Sequence, residues 1–196
     1  MKILRPCLLG LLGLAVCAIS VDAEAQLKDE NLLALVLQGF KVATDHDDNG
    51  IVFQEWIPAN ETVTNWSEIV TVQILLGRSN VDGGRYLAAI KAGWLKACPQ
   101  SKPNMIENGR ANGYPLWTMM LQCPLLSSTG KPETTLFRSI AGRDSFYSVQ
   151  RSARSVPDGA QMAKMAAYME RVTVCDTRSA EHPCPDLKRQ GFQQVR

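Results

Sequence analysis

The dipeptide Asn49-Gly50 constrains this chain more than any other feature. It stands between two runs of β-formers, and both of its residues readily take the positive φ that a tight hairpin turn demands. Phe40 to Thr44 and Ile51 to Ile57 are therefore expected to pair antiparallel. Beyond the corner at residues 58–60, the stretch Glu68-Ile-Val-Thr-Val-Gln-Ile-Leu-Leu76 is dense in β-branched side chains and reads as a third strand. A helix starting near Asn65, which has capping-box spacing to Glu68, is the competing reading of the approach to it.

The surest helix lies at residues 83–98, where Tyr86, Leu87, Ile90, Trp94 and Leu95 recur at helical spacing and Pro99 cannot continue the pattern. That stripe is expected to pack on a sheet, with Trp94 in the core rather than stacked on a ligand. Residues 99–113, rich in Pro, Asn, Gly and Lys, read as a loop. Tyr114 to Cys123 reads as a strand, and Glu133 to Ile140 with Ser145 to Ala153 as a second hairpin. Ser155-Val-Pro-Asp158 then makes a helix start, and Met162, Met165, Ala166 and Met169 supply an amphipathic face through about Arg171. At the other end, Asp29 to Leu37 is acidic first and apolar afterwards and reads as a short helix, although its apolar residues are too continuous for periodicity to decide.

Three strands, a helix, three strands and a helix make an α+β fold. The expectation is an antiparallel sheet of about six strands from two hairpin units, covered by two main helices. In element order the chain resembles the PsbP-like α/β/α sandwich class of exported bacterial proteins, which includes lipoproteins and photosystem accessory proteins. The resemblance covers most of residues 26–196. It implies binding and assembly roles more than catalysis.

The beginning of the chain reads as an export signal. Met1-Lys-Ile-Leu-Arg5 is basic, Leu8 to Ile19 is apolar, and Ala23-Glu24-Ala25 places small residues at both cleavage-determining positions. Residues 1–25 are thus expected to be a signal peptide cut near Ala25, leaving one α+β domain at 26–196 with a disulfide-clamped tail, periplasmic or secreted. The apolar run is shorter than the roughly 20 residues that span a bilayer. Lipidation at Cys17 is the rival reading, but Val16 is bulky where a lipobox has a small residue.

Cleavage removes Cys7 and Cys17 and leaves Cys98, Cys123, Cys175 and Cys184, an even set that an oxidising compartment turns into two disulfides. Of the three possible pairings, Cys98 with Cys123 and Cys175 with Cys184 are favoured, because each closes a short loop at an element junction. With 45% hydrophobic and 20% charged residues the chain is globular, and a net charge of +2 argues against nucleic acid or an anionic membrane as partner.

Four groups of residues could carry chemistry. Asp45-His-Asp-Asp-Asn-Gly50 begins like a calcium loop, with Asp45, Asp47 and Asn49 as oxygen ligands; the position where the bidentate acid belongs is Trp56, and Glu55 falls one residue short. A solvated hairpin tip is the simpler reading. Cys175, His182 and Cys184, with Asp176 or Asp186, could ligate zinc, against which a disulfide competes. His46 and His182 are the two available imidazole bases, and neither sits in a nucleophile signature. Arg138, Arg143, Arg151 and Arg154 on the second hairpin could meet an acidic partner or merely protect an edge. No catalytic residue and no cofactor is assigned on this basis. The reading is a non-catalytic binding or assembly module for an envelope or secreted protein, the alternative being a metal-dependent or hydrolytic periplasmic enzyme that uses His182 or the Asp45 loop.

Overall fold

The computed structural model describes residues 27–104 and 107–195. The expected signal peptide, its cut near Ala25, Cys7 and Cys17 lie outside the described residues. In chain order the elements are β1 (Glu30–Leu35), β2 (Phe40–Asp48), β3 (Ile51–Pro58), β4 (Glu68–Leu75) and α1 (Gly83–Ala97), then β5 (Lys102–Pro103), β6 (Glu107–Ala111) and β7 (Tyr114–Leu126). There follow β8 (Lys131–Ala141), β9 (Phe146–Ala153), α2 (Gly159–Arg171), β10 (Thr173–Asp176), α3 (Leu187–Gln190) and β11 (Phe192–Val195).

Asn49 and Gly50 have φ of +54° and +75° and close the β2–β3 hairpin as a mirror-image turn. Pairing continues antiparallel through β2-β3-β4-β9-β8-β7, and β5 and β6 both join the far side of β7. This eight-stranded sheet overturns the expected six strands under two helices. Among the described residues there is also a second, three-stranded antiparallel sheet in the order β10-β1-β11.

Two differences from the sequence reading account for this. Asp29 to Leu37 reads as a helix, yet β1 is the centre of the small sheet, and its residues Asn31 to Ala34 are all buried. A strand buried on both faces shows no alternation, so its pattern imitates that of a buried helix. The expected loop 99–113 contains β5 and β6, the latter hairpinned to β7 by Asn112 (φ +47°) and Gly113 (φ +83°).

The layers follow from side-chain alternation. One face of the large sheet presents Val70, Val72, Val149 and Ile140 to Leu32 and Val174 of the small sheet and to Tyr168 and Met169 of α2. The opposite face presents Met119, Leu121 and Phe137 to α1, which contributes Leu87, Ile90 and Trp94. Trp94 meets Phe137 edge to face, 6.4 Å between centroids, so the stripe is core as expected. Asp82 caps α1 by accepting the Arg85 N–H at 2.8 Å, and Asp158 caps α2 from Gln161 at 2.7 Å. Gly83 in the first turn of α1 lies so close to the Trp117 ring that a Cβ there would collide with it. That contact seats the helix on β7.

Cys98 at the end of α1 is bonded to Cys123 of β7, and Cys175 to Cys184. With a sequence separation of 25 between its cysteines, the first bridge limits the unfolded chain substantially. Replacing both of its cysteines by serine is expected to cost about 3 kcal/mol in urea unfolding. A change under about 1 kcal/mol would show that α1 is held by packing alone.

Candidate functional site

The core face of the large sheet does not end where its roof ends. One cross-strand row runs Leu116, Ile140, Tyr147, Ile74, Val52 and finally Asp47, so it changes from apolar to charged only at the outermost strand. Asp45 lies on the same face, two residues away and opposite Gln54.

The small sheet covers this face incompletely because of where it is tied. Asn112 donates its side-chain amide to the Val174 carbonyl at 3.0 Å, which places β10 above the β6–β7 turn. Glu30 of β1 accepts the backbone N–H groups of Arg143, Asp144 and Ser145, together with the Tyr147 hydroxyl at 2.8 Å, which fixes β1 above the β8–β9 turn. Gly142 is needed in that turn, since a Cβ would strike the Glu30 carboxylate. With β10 and β1 so placed, Val195 of β11 faces the same cleft as Ile74 of β4 and Val52 of β3, and Asp45 and Asp47 of β2 stay exposed.

The result is a cleft of about 570 Å³ between the two sheets. Val52, Ile74 and Tyr147 form its floor, and Leu32 and Val195 its roof. Its rim carries Asp29, Glu30, Asp45, Asp47 and Asp144 against one lysine, Lys28. Some of these acids are already engaged. Arg178 contacts Asp144 at 2.5 Å and Asp176 at 2.8 Å, and approaches Asp29 at 3.8 Å. Its guanidinium holds the Asp176 carboxyl below the usual carboxylate range. Asp45 accepts from Gln54 Nε2 at 3.1 Å, and Asp47 has no partner among the described residues. Of the rim acids, therefore, Asp45 and Asp47 are the two with neither a cation nor a backbone cradle among the described residues, and they stand at the mouth of a cleft with an apolar floor.

The residues singled out as calcium ligands are distributed by the β pleat. Asp45 and Asp47 share the cleft face, Asn49 is in the turn, and Glu55 projects to the opposite face, where it accepts the Thr44 hydroxyl at 2.7 Å. His46 also lies on that opposite face. Cys175 and Cys184 are bonded to each other, and His182 donates its Nδ1–H to the Asn112 carbonyl at 2.7 Å while stacking on Tyr114 at 3.9 Å. That segment is a clasp on the β6–β7 turn. His46 and His182 are not brought together.

The four arginines of the second hairpin do not form a basic patch. Arg138 donates to the Val172 carbonyl at 2.9 Å, buried Arg151 pairs with Glu68 at 2.8 Å, and Arg154 stacks over Trp66 at 3.9 Å. Arg143 contributes its backbone N–H to Glu30. The central position of β8 and β9 buries Arg151 and half-buries Arg138, while Arg154 is half-buried just past β9 and Arg143 stays exposed in the turn. Sequence reasoning misses Asp29, Glu30 and Asp144 as rim residues. The one signal for Glu30 is an acid at the edge of an apolar run.

All four tyrosines resist ionisation. Burial raises Tyr86, Tyr114 and Tyr147, the last two further through the Glu30 charge, and it pushes Tyr168 up to about 12 against the opposing charge of Arg151. The fold thus favours neutral phenols. Their contribution is fully present below the unfolded value of about 10 and is lost as pH rises from there through the folded values. Ultraviolet titration is expected to show no phenolate near pH 10 and a single rise coincident with alkaline unfolding. A tyrosine titrating normally in the folded protein would contradict the burial.

No family model and no curated protein matches this chain. Among solved structures it is similar to the Ran-binding protein Mog1p of Saccharomyces cerevisiae, at 11% identity and a TM-score of 0.42 over 71% of this chain and 79% of that one. It is also similar to LpqN, involved in cell envelope biogenesis of Mycobacterium tuberculosis, at 13% identity and a TM-score of 0.42 over 76% and 86%. At this identity and score neither likeness assigns a family or a role.

Proposed function

We propose that this protein is an exported, non-catalytic binding module, and that its cleft receives a basic segment of another envelope or secreted protein. The observation that carries the reading is the pair Asp45 and Asp47, unneutralised at the mouth of a cleft of about 570 Å³ whose floor, Val52, Ile74 and Tyr147, is apolar. An apolar floor gains free energy when covered, and carboxylates without cations select what covers it. Lysine and arginine satisfy both demands, since their stems are apolar and their heads charged. Two disulfides suit an oxidising compartment, in keeping with the export signal read from residues 1–25. Among the described residues no helix is long and apolar enough to cross a membrane.

The test is retrieval from envelope extract with the mature protein and, in parallel, with the double variant Asp45→Asn/Asp47→Asn. Both positions are exposed, so the variant is expected to fold normally. A basic protein should be retained by the former and lost with the latter. Retention should weaken as salt rises from about 0.05 to 0.5 M, because the carboxylates are solvated. Identical sets of retained proteins, or none, would overturn the reading.

A further inference from the structure

The cleft is bounded outward by β2, and β2 is an edge. It pairs with β3 on one side, and no strand among the described residues occupies the other. Alternate residues of an edge strand turn their N–H and C=O groups outward, which makes the strand a template for a further one. The remaining edges of both sheets are short: β5 has two residues, β6 five, and β10 and β11 four each. β2 has nine. Its pairing with β3 slips once, at Ala43, and is regular from Thr44 to Asp48.

Charge decides what can be added. The segment from Asp45 to Asp48 carries three aspartates and no lysine or arginine. A second copy of this edge would set aspartate beside aspartate, which is destabilising across a strand pair, so self-pairing is disfavoured. A basic strand meets the opposite situation. Side chains on one face of an added strand would stand about 5 Å from Asp45 and Asp47, at positions two residues apart, and on the cleft side of the sheet.

We propose that the partner's recognised segment is an extended peptide that adds to the free edge of β2, with Lys or Arg at alternate positions facing Asp45 and Asp47 and reaching into the mouth of the cleft. This rests on the binding reading above and goes beyond it: main-chain hydrogen bonds supply part of the affinity, and the two aspartates set register and sequence preference. The added strand extends the cleft floor by one strand on the side the roof leaves open.

The probe is a capped octapeptide of alternating lysine and valine, compared with its glutamate-valine counterpart and with two lysine-valine peptides N-methylated at either the odd or the even residues. Titration of the mature protein, followed by amide hydrogen exchange of Thr44 to Asp48, is expected to show binding by the lysine peptide alone and slowed exchange on the outer edge. One methylated series should lose about tenfold in affinity or more while the other binds nearly unchanged, because only one edge of an added strand faces β2. Binding that persists equally in both methylated peptides would overturn strand addition and leave the cleft reading standing. Failure of the lysine peptide to bind, or equal binding of the glutamate peptide, would overturn both. Slowed exchange of the same amides in the free protein, with a dimer in sedimentation, would mean that a second copy occupies the edge and would also overturn the proposal.

Discussion

Arg151→Ala is expected to lower the stability of the protein by about 3–5 kcal/mol, a large fraction of what keeps a domain of ordinary size folded. Arg151 on β9 is buried, and it is the diagonal cross-strand neighbour of Glu68 on the core face. Its guanidinium donates to the Glu68 carboxylate at 2.8 Å and to the Lys164 carbonyl of α2 at 3.4 Å, with its Cζ atom 5.0 Å from the Tyr168 ring centroid. Truncation leaves Glu68 largely covered, with only Gln161 Nε2, at 3.3 Å, among its side-chain hydrogen-bond partners. The penalty is that of an orphaned charge together with a cavity beneath α2. The double variant Arg151→Met/Glu68→Leu removes the charge with the cation and should recover most of the loss. Urea unfolding of both variants, with disulfides intact, decides the matter. A cost under about 1 kcal/mol for Arg151→Ala would mean that the pair behaves as a surface ion pair.

Glu30→Ala is the second large effect, at about 3–4 kcal/mol. The Glu30 carboxylate gathers three consecutive backbone N–H groups and a tyrosine hydroxyl that begin 113 residues further along the chain. Without it the buried Tyr147 hydroxyl loses its carboxylate acceptor, and the β8–β9 turn no longer grips β1. The effect should be unevenly distributed. Hydrogen exchange of Asn31 to Ala34 should accelerate more than that of β7 and β8, because β1 loses its anchor while the large sheet keeps its ladder. Uniform acceleration would show that the two sheets unfold only as one unit. Glu30→Gln keeps the acceptor oxygen and should recover part of the loss.

Much of the large sheet is legible in the sequence because local chemistry dictates it. Asn49-Gly50 turns the chain with the dihedrals its residue types allow, and the helices show in their apolar spacing and in Pro99 and Ser155-Val-Pro-Asp158 at their ends, where the structure adds the Asp82 and Asp158 caps. The apolar spacing of α1 identifies both the helix and the sheet-facing side of Trp94. Asn112-Gly113 carries the same signal as Asn49-Gly50 but is masked, because Glu107-Asn-Gly-Arg-Ala111 is poor in β-formers. Its pairing is imposed by β7 and by the His182 clasp, which tertiary contacts supply. Pattern alone cannot identify β1, since burial on both faces erases the alternation that marks a strand.

The candidate site divides along the same line. Asp45 and Asp47 draw attention through their spacing, but the sequence reading groups them with Asn49 and Glu55, residues that lie in the turn and on the opposite face. Their actual companions at the rim, Asp29, Glu30 and Asp144, come from elsewhere in the chain.

By itself, then, the sequence determined the Asn49-Gly50 turn, both main helices and the strands whose alternation one exposed face preserves, and it favoured the sulfur pairs without deciding them. These depend on neighbours a few residues apart, so residue type and spacing are enough. Only the tertiary structure decided that β1 is the middle of a second sheet, that the arginines of the second hairpin make no basic patch, and that an acidic-rimmed cleft opens beside a free edge. Those facts depend on which strands lie next to one another and on where the smaller sheet is tied, and contacts more than a hundred residues apart are not encoded in any local pattern.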